Sequence, residues 1–287
     1  MRRVVILVAV LAGIVVLVMH FRPVRPPGVR FAAYGEPYEQ KPDFALVEHQ
    51  LPLRPADLRS LTPKDLKTFS QEQLDQLYAR LTAGPIPDGP FDGEALRPDD
   101  APMDRIVETV GGLKGLALKF KRAKLGVLMN TLWRGKVFYR EERILRNRID
   151  DLEILKPLVQ NDLKNVPKVT VKGRDTSLLF PAKLYCGQSL LDSRRESIIV
   201  DYAFTDEIPG YREMPDFLAG RKGFKVRDEI RMLRPGLYLG RAYLNRFFVL
   251  NFVLYNEEVG QQNVEAFVSG KVKEDCWTGT QTVPSVS

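Results

Sequence analysis

The chain has 287 residues and a formal net charge of +7, and it is 44% hydrophobic and 28% charged. That balance belongs to a folded protein and excludes a disordered one, and the length suffices for one large domain or two small ones. Two cysteines, Cys186 and Cys276, and two histidines, His20 and His49, leave no paired-cysteine metal motif.

Arg2 and Arg3 precede an unbroken apolar run from Val4 to Met19. A helix of that length spans roughly 24–27 Å once its flanks are included. Arginines at both ends snorkel and close the gap to a ~30 Å hydrocarbon core. Ala9, Ala12 and Gly13 lie inside the run and not before a cleavage point. Residues 1–21 are therefore predicted to be an uncleaved signal anchor, a transmembrane helix in the bacterial inner membrane, with the body in the periplasm. Arg22, Arg25 and Arg30 compete with Arg2 and Arg3 for the cytoplasmic side and leave the orientation open.

Residues 22–54 are Pro-rich and aperiodic and read as a tether. A helical preface is predicted over 55–91. Thr62-Pro63-Lys64-Asp65 supplies a cap, a first-turn proline and a first-turn acid, and Ser70 caps Gln71 to Leu81. Gly84 to Pro90 ends it with a rigid turn.

A β-barrel domain is predicted over 92–260, including an amphipathic helix over 103–132 whose stripe carries Leu113, Leu116, Phe120 and Leu128. Between Lys114 and Arg148 stand eleven Lys or Arg against Glu141 and Glu142, so the rest of the chain is slightly acidic. The basic segment 114–148 suits a membrane surface rich in anionic headgroups; a solvated basic face is the alternative. No nucleic-acid partner is expected, and no protein partner is indicated.

From Trp133 the period changes to two. Expected strands are Gly93–Arg97, Trp133–Tyr139, Arg143–Ile149, Leu178–Cys186, Glu196–Phe204, Phe224–Met232, Gly236–Leu244 and Phe247–Tyr255. Antiparallel strands at this spacing form a sandwich or a small up-and-down, lipocalin-like barrel, and the fold class is mainly β. The connections 150–177 and 205–223 are long enough for lids or partner surfaces. Residues 261–287 read as a partly ordered tail. Cys186 and Cys276 pair if the body is exported and stay thiols if it is cytoplasmic; their spacing does not decide.

The body beyond the tether holds no histidine, which argues against a Ser-His-Asp triad, a Cys-His pair or a His-ligated zinc. No phosphate-cradling glycine loop is present, and no cofactor or metal is expected. Alternation places Val226, Asp228, Ile230 and Met232 on one face and Arg227, Glu229 and Arg231 on the other. Asp201 shares a face with Ser197 and Ile199. Asp201 and Asp228 are read as two inward carboxylates, fit to anchor a ligand head, to work as an acid/base pair, or to serve as structural glue. Tyr238 stands between Gly236 and Gly240, where space beside it would admit a ligand. Trp133 and Lys136 are placed at the barrel mouth, and Arg231 completes the candidate ligand-binding set.

Leu61-Thr62-Pro63, Ala83-Gly84-Pro85-Ile86-Pro87-Asp88-Gly89, Trp133-x-Gly-Lys-Val-Phe, Ile199-Val200-Asp201-Tyr202 and Asp228-Glu229-Ile230-Arg231…Pro235-Gly236-Leu237-Tyr238-Leu239-Gly240 together resemble an uncharacterised bacterial family with a β-rich domain. The resemblance covers most of residues 60–255 and carries over no activity or catalytic role. The chain departs from it at 150–177 and in its anchor. The expectation is a membrane-anchored envelope protein carrying an apolar ligand, such as a lipid or fatty-acid-like molecule, inside the barrel. The alternatives are a histidine-independent isomerase or hydrolase and an envelope scaffold.

Overall fold

The computed structural model describes residues 28–33, 42–96, 132–153, 163 and 165–279. The expected anchor over 1–21 and the expected helix over 103–132 lie outside the described residues, apart from Leu132. Among the described residues no helix is long and apolar enough to cross a membrane.

Among the described residues, four helices precede the strands: α1 (Phe44–Gln50), α2 (Pro55–Leu58), α3 (Pro63–Leu66) and α4 (Gln71–Arg80). The first corrects the tether expectation. Asp43 caps it by accepting hydrogen bonds from the amides of Ala45 and Leu46, which satisfies two otherwise orphaned donors. Thr62 and Ser70 form capping boxes with Asp65 and Gln73 at the starts of α3 and α4, as the sequence pattern predicts.

The strands are β1 (Gly89–Leu96), β2 (Trp133–Tyr139), β3 (Ile144–Ile149), β4 (Lys168–Val171), β5 (Arg174–Gln188), β6 (Glu196–Asp201), β7 (Val226–Arg234), β8 (Leu237–Leu244) and β9 (Phe247–Tyr255). They pair antiparallel in the order β3-β2-β1-β9-β8-β7-β6-β5, and β3 pairs with β5 to close an eight-stranded up-and-down barrel. Full closure leaves these strands no open edge, the usual liability of a sheet. β4 lies inside the expected 150–177 connection and joins the sheet as a hairpin on β5.

Two devices shape the interior. A bulge between Trp133 and Gly135 re-aims the Trp133 ring. Gly93 and Gly240 then leave room for aromatic rings: a Cβ added at Gly93 would stand 2.4 Å from the Trp133 ring, and one at Gly240 would stand 2.2 Å from Phe252. Trp133 and Phe252 meet edge to face at 5.6 Å. Nearer the other end, Phe91 meets Phe138 and Tyr238 in the same way, at 5.6 and 5.8 Å. These contacts fill the lower half of the barrel with its own side chains.

The preface covers part of the outside. Asn251 donates to Gln71 at 2.9 Å, and Arg241 forms a buried ion pair with Asp75 of α4. Arg231 donates to the carbonyl oxygens of Tyr78, Asp192 and Arg195 and to Ser197 Oγ, so its guanidinium is spent on holding α4 and the 192–195 turn to the outer wall. The loop between β6 and β7 contains a short turn, α5 (Glu213–Asp216), tied to β5 by Asp216 accepting from the amide of Phe180. The stretch expected as a partly ordered tail from residue 261 contains most of a helix, α6 (Glu257–Val268), capped by Asn256. Beyond it Glu274 accepts from Thr82 Oγ1 and from the amide of Gly84, and Cys276 is bonded to Cys186. The tail and the 82–86 segment thereby cover the lower end.

Candidate functional site

β2 and β7 are four strands apart around the barrel in either direction, so they face each other across its axis. Lys136 on β2 and Asp228 on β7 both point inward and meet at 3.0 Å. Their side chains are 3% and 7% exposed. Taking two charges out of water costs several kcal/mol per ion on the order-of-magnitude scale, and only a well-made set of hydrogen bonds offsets it.

That set is present. The Lys136 ammonium donates to Asn147 Oδ1 at 2.9 Å, to the Tyr202 hydroxyl at 2.7 Å and to Asp228 Oδ2. An ammonium has three N–H groups, and all are used. Asn147 Nδ2 donates to the Phe180 carbonyl and to Tyr202, and Trp133 Nε1 donates to Asn147 Oδ1. Tyr202 passes its own proton toward Asp228 Oδ2 at 3.2 Å. The rings of Trp133, Tyr202 and Phe252 surround the ammonium at 5.5–5.6 Å, a cation–π cage.

Burial pushes the Lys136 ammonium below its ordinary pKa, and the neighbouring Asp228 opposes the shift. Burial, reinforced by Asp228, pushes the Tyr202 phenol well above its ordinary range, so it stays a neutral donor. Asp228 Oδ1 differs from its partner oxygen. Among the described residues it makes no hydrogen bond, and the side chain that carries it is 7% exposed.

Beyond this cluster the inward-facing side chains become partly exposed. Register places Val226 opposite Leu244, and Asp228 opposite Ala242, which in turn faces Leu250. Val226, Ala242, Leu244 and Leu250 are all half-buried, whereas Ile230, Gly240 and Phe252 below them are buried. Among the described residues, the four half-buried side chains form a partly exposed apolar ring at the barrel end beyond Asp228. Beside it, the β6–β7 loop encloses a cleft of about 40 Å³ lined by Tyr202, Asp206, Tyr211 and Arg221.

Of the residues the sequence nominates, the structure brings together Trp133, Lys136 and Asp228. Lys136 sits at the barrel centre, deeper than the rim expected for it. Asp201 is a correction: it pairs with Arg227 on the outer face and accepts from the Tyr185 hydroxyl and the Ala203 amide. Arg231 is another, being outward and buried beneath α4. Tyr238 does point inward, but its hydroxyl donates to the Pro85 carbonyl at 2.7 Å, at the closed end. The room expected beside it is taken, since Gly240 accommodates Phe252.

Sequence reasoning missed Asn147, Tyr202 and Phe252. Asn147 stands between Arg146 and Arg148, which face out, and that single break in a basic run was the available signal. Within 114–148, three of the six described basic side chains form ion pairs, Arg134 with Asp150, Lys136 with Asp228 and Arg148 with Asp92, and Arg140 and Arg146 donate to backbone carbonyls, whereas Arg143 is exposed.

Cys186 and Cys276 form a disulfide across 90 residues. Among the described residues, the cluster with metal-ligand spacing is Cys186, Cys276 and Glu196, and its sulfurs are bonded to each other. No protein-family model, curated protein or solved structure matches the chain.

Proposed function

We propose that this protein is an exported, membrane-anchored binding barrel of lipocalin-like design that holds one compact apolar ligand at its upper mouth. The observation that carries the reading is the half-buried ring of Val226, Ala242, Leu244 and Leu250 above Asp228 Oδ1. Small eight-stranded barrels often hold a single ligand, with apolar walls for affinity and a few polar groups for orientation. The aromatic filling around Phe91, Phe138 and Tyr238 sets a floor and disfavours an extended acyl chain running down the axis. The acid/base alternative needs two carboxylates in one space, and Asp201 lies on the other side of the wall from Asp228.

The disulfide supports an oxidising compartment, in keeping with export behind the apolar run Val4 to Met19. The basic residues from Lys114 to Lys124, with the exposed Arg143, are offered by the charged segment to anionic headgroups.

Solvent extraction of protein purified without detergent, followed by mass spectrometry, tests the binding reading. A near-stoichiometric apolar molecule supports it, as does uptake of N-phenyl-1-naphthylamine that Ala242→Phe abolishes without loss of stability. An empty protein that takes up no probe refutes it.

A further inference from the structure

Among the described residues, every side-chain donor of the Lys136–Asp228 cluster is already committed. The three Lys136 N–H groups go to Asn147, Tyr202 and Asp228. Both Asn147 amide protons go to Phe180 and Tyr202, the Trp133 indole proton goes to Asn147, and the Tyr202 proton goes to Asp228. Among these side chains Asp228 Oδ1 is the acceptor left without a hydrogen bond to a described residue, on a side chain more than nine-tenths buried and anchored through Oδ2. The cluster therefore presents an acceptor with negative character and no donor.

From this geometry, and resting on the binding-barrel reading, we infer that the ligand carries a neutral or cationic hydrogen-bond-donating head, an alcohol or an amine, and that apolar carboxylates are rejected. An alcohol or ammonium head gives its proton to Oδ1 and completes the carboxylate's solvation. A carboxylate head would bring a second negative charge to a low-dielectric site, with its oxygens left unpaired. Leaving buried polar groups without partners is the strongest source of discrimination a small site has. Asp228 is thus a specificity-determining residue, while Lys136, Tyr202 and Asn147 position its carboxylate. Val226, Ala242, Leu244 and Leu250 receive the ligand's apolar body whatever its head.

The test is displacement of N-phenyl-1-naphthylamine from the full-length wild-type protein at neutral pH by octan-1-ol, octylamine and octanoate, which share one chain and differ in the head. The inference expects octan-1-ol and octylamine to displace at concentrations at least tenfold below octanoate. The double variant Asp228→Asn, Lys136→Met removes both charges together and should collapse that tenfold gap; the wild-type comparison stands without it should the variant fail to fold. Octanoate displacing as well as the alcohol or better would overturn the inference and leave the binding barrel intact. No displacement by any of the three, with no uptake of the naphthylamine, would overturn the binding reading and the inference with it.

Discussion

Lys136 and Asp228 form a 3.0 Å ion pair between diametrically opposed strands of the barrel, so the pair ties its two walls together through the axis. Such a pair contributes little net stability against an apolar replacement, yet losing one member strands the other in a dry site. Lys136→Met alone is expected to destabilise the protein by about 3–5 kcal/mol in chemical denaturation. Lys136→Met combined with Asp228→Leu should recover most of that loss. A single substitution no more costly than a surface one would show that the pair is not sealed from water.

The aromatic filling makes a second prediction. Phe252 stands directly opposite Gly240 and lays its ring where a Cβ would sit. Gly240→Ala should cost about 1–3 kcal/mol through overpacking, and Phe252→Leu in the same chain should relieve part of it. Calorimetry on the three proteins checks this. Tolerance of Gly240→Ala without a shift in Tm would mean that the ring has another place to go.

The Cys186–Cys276 bond closes a loop of 90 residues, long enough for a large effect on the unfolded chain. Replacing both cysteines by serine should cost roughly 4 kcal/mol. It should also make the segment around Glu274 more open to limited proteolysis, because hydrogen bonds alone then hold it, those linking Glu274 with Thr82 and Gly84, Asp275 with Gly84 and Ile86, and Trp277 with Glu196. Equal protease resistance in the two forms would show that those hydrogen bonds suffice.

Acid stability depends in part on Asp92. Burial raises its carboxyl, but hydrogen bonds from Arg148 and Lys172 outweigh that and leave it below the ordinary carboxylate range. A depressed folded-state pKa contributes stability above the unfolded value, and the contribution disappears as pH falls through the folded value. Lys172→Met, which removes the exposed partner, should raise the Asp92 pKa seen by carbon-detected NMR and move the loss of stability to higher pH. An unchanged Asp92 titration would contradict the account.

The barrel could be read from sequence because seven of its eight strands carry a period of two and short turns that continue the meander, as in Val226–Arg234 and Leu237–Leu244. What could not be read was which face of a strand lies inside. On β6, Ser197, Ile198, Ile199 and Val200 are all fully buried, since α4 covers the outer face as completely as the barrel covers the inner one. Alternation then loses its sign, and Asp201 falls on the wrong side. Alternation on β7 does separate Arg231 from Asp228; what no spacing announces is that its partners are backbone carbonyls of α4 and the 192–195 turn and not a ligand. β4 was hidden because it is four residues long, with Lys168 and Thr170 exposed and Val169 and Val171 only half-buried. The α6 helix had a legible start in Asn256-Glu257-Glu258, obscured by the polar run Gly260-Gln-Gln-Asn that follows.

The most direct test of the proposed site is a heteronuclear NMR titration of the full chain with octan-1-ol, following backbone amides and methyl groups. The account predicts saturable shifts confined to Val226, Asp228, Ala242, Leu244 and Leu250, with Phe91, Phe138 and Tyr238 at the closed end unmoved. Shifts centred on the closed end, or none that saturate, would contradict it.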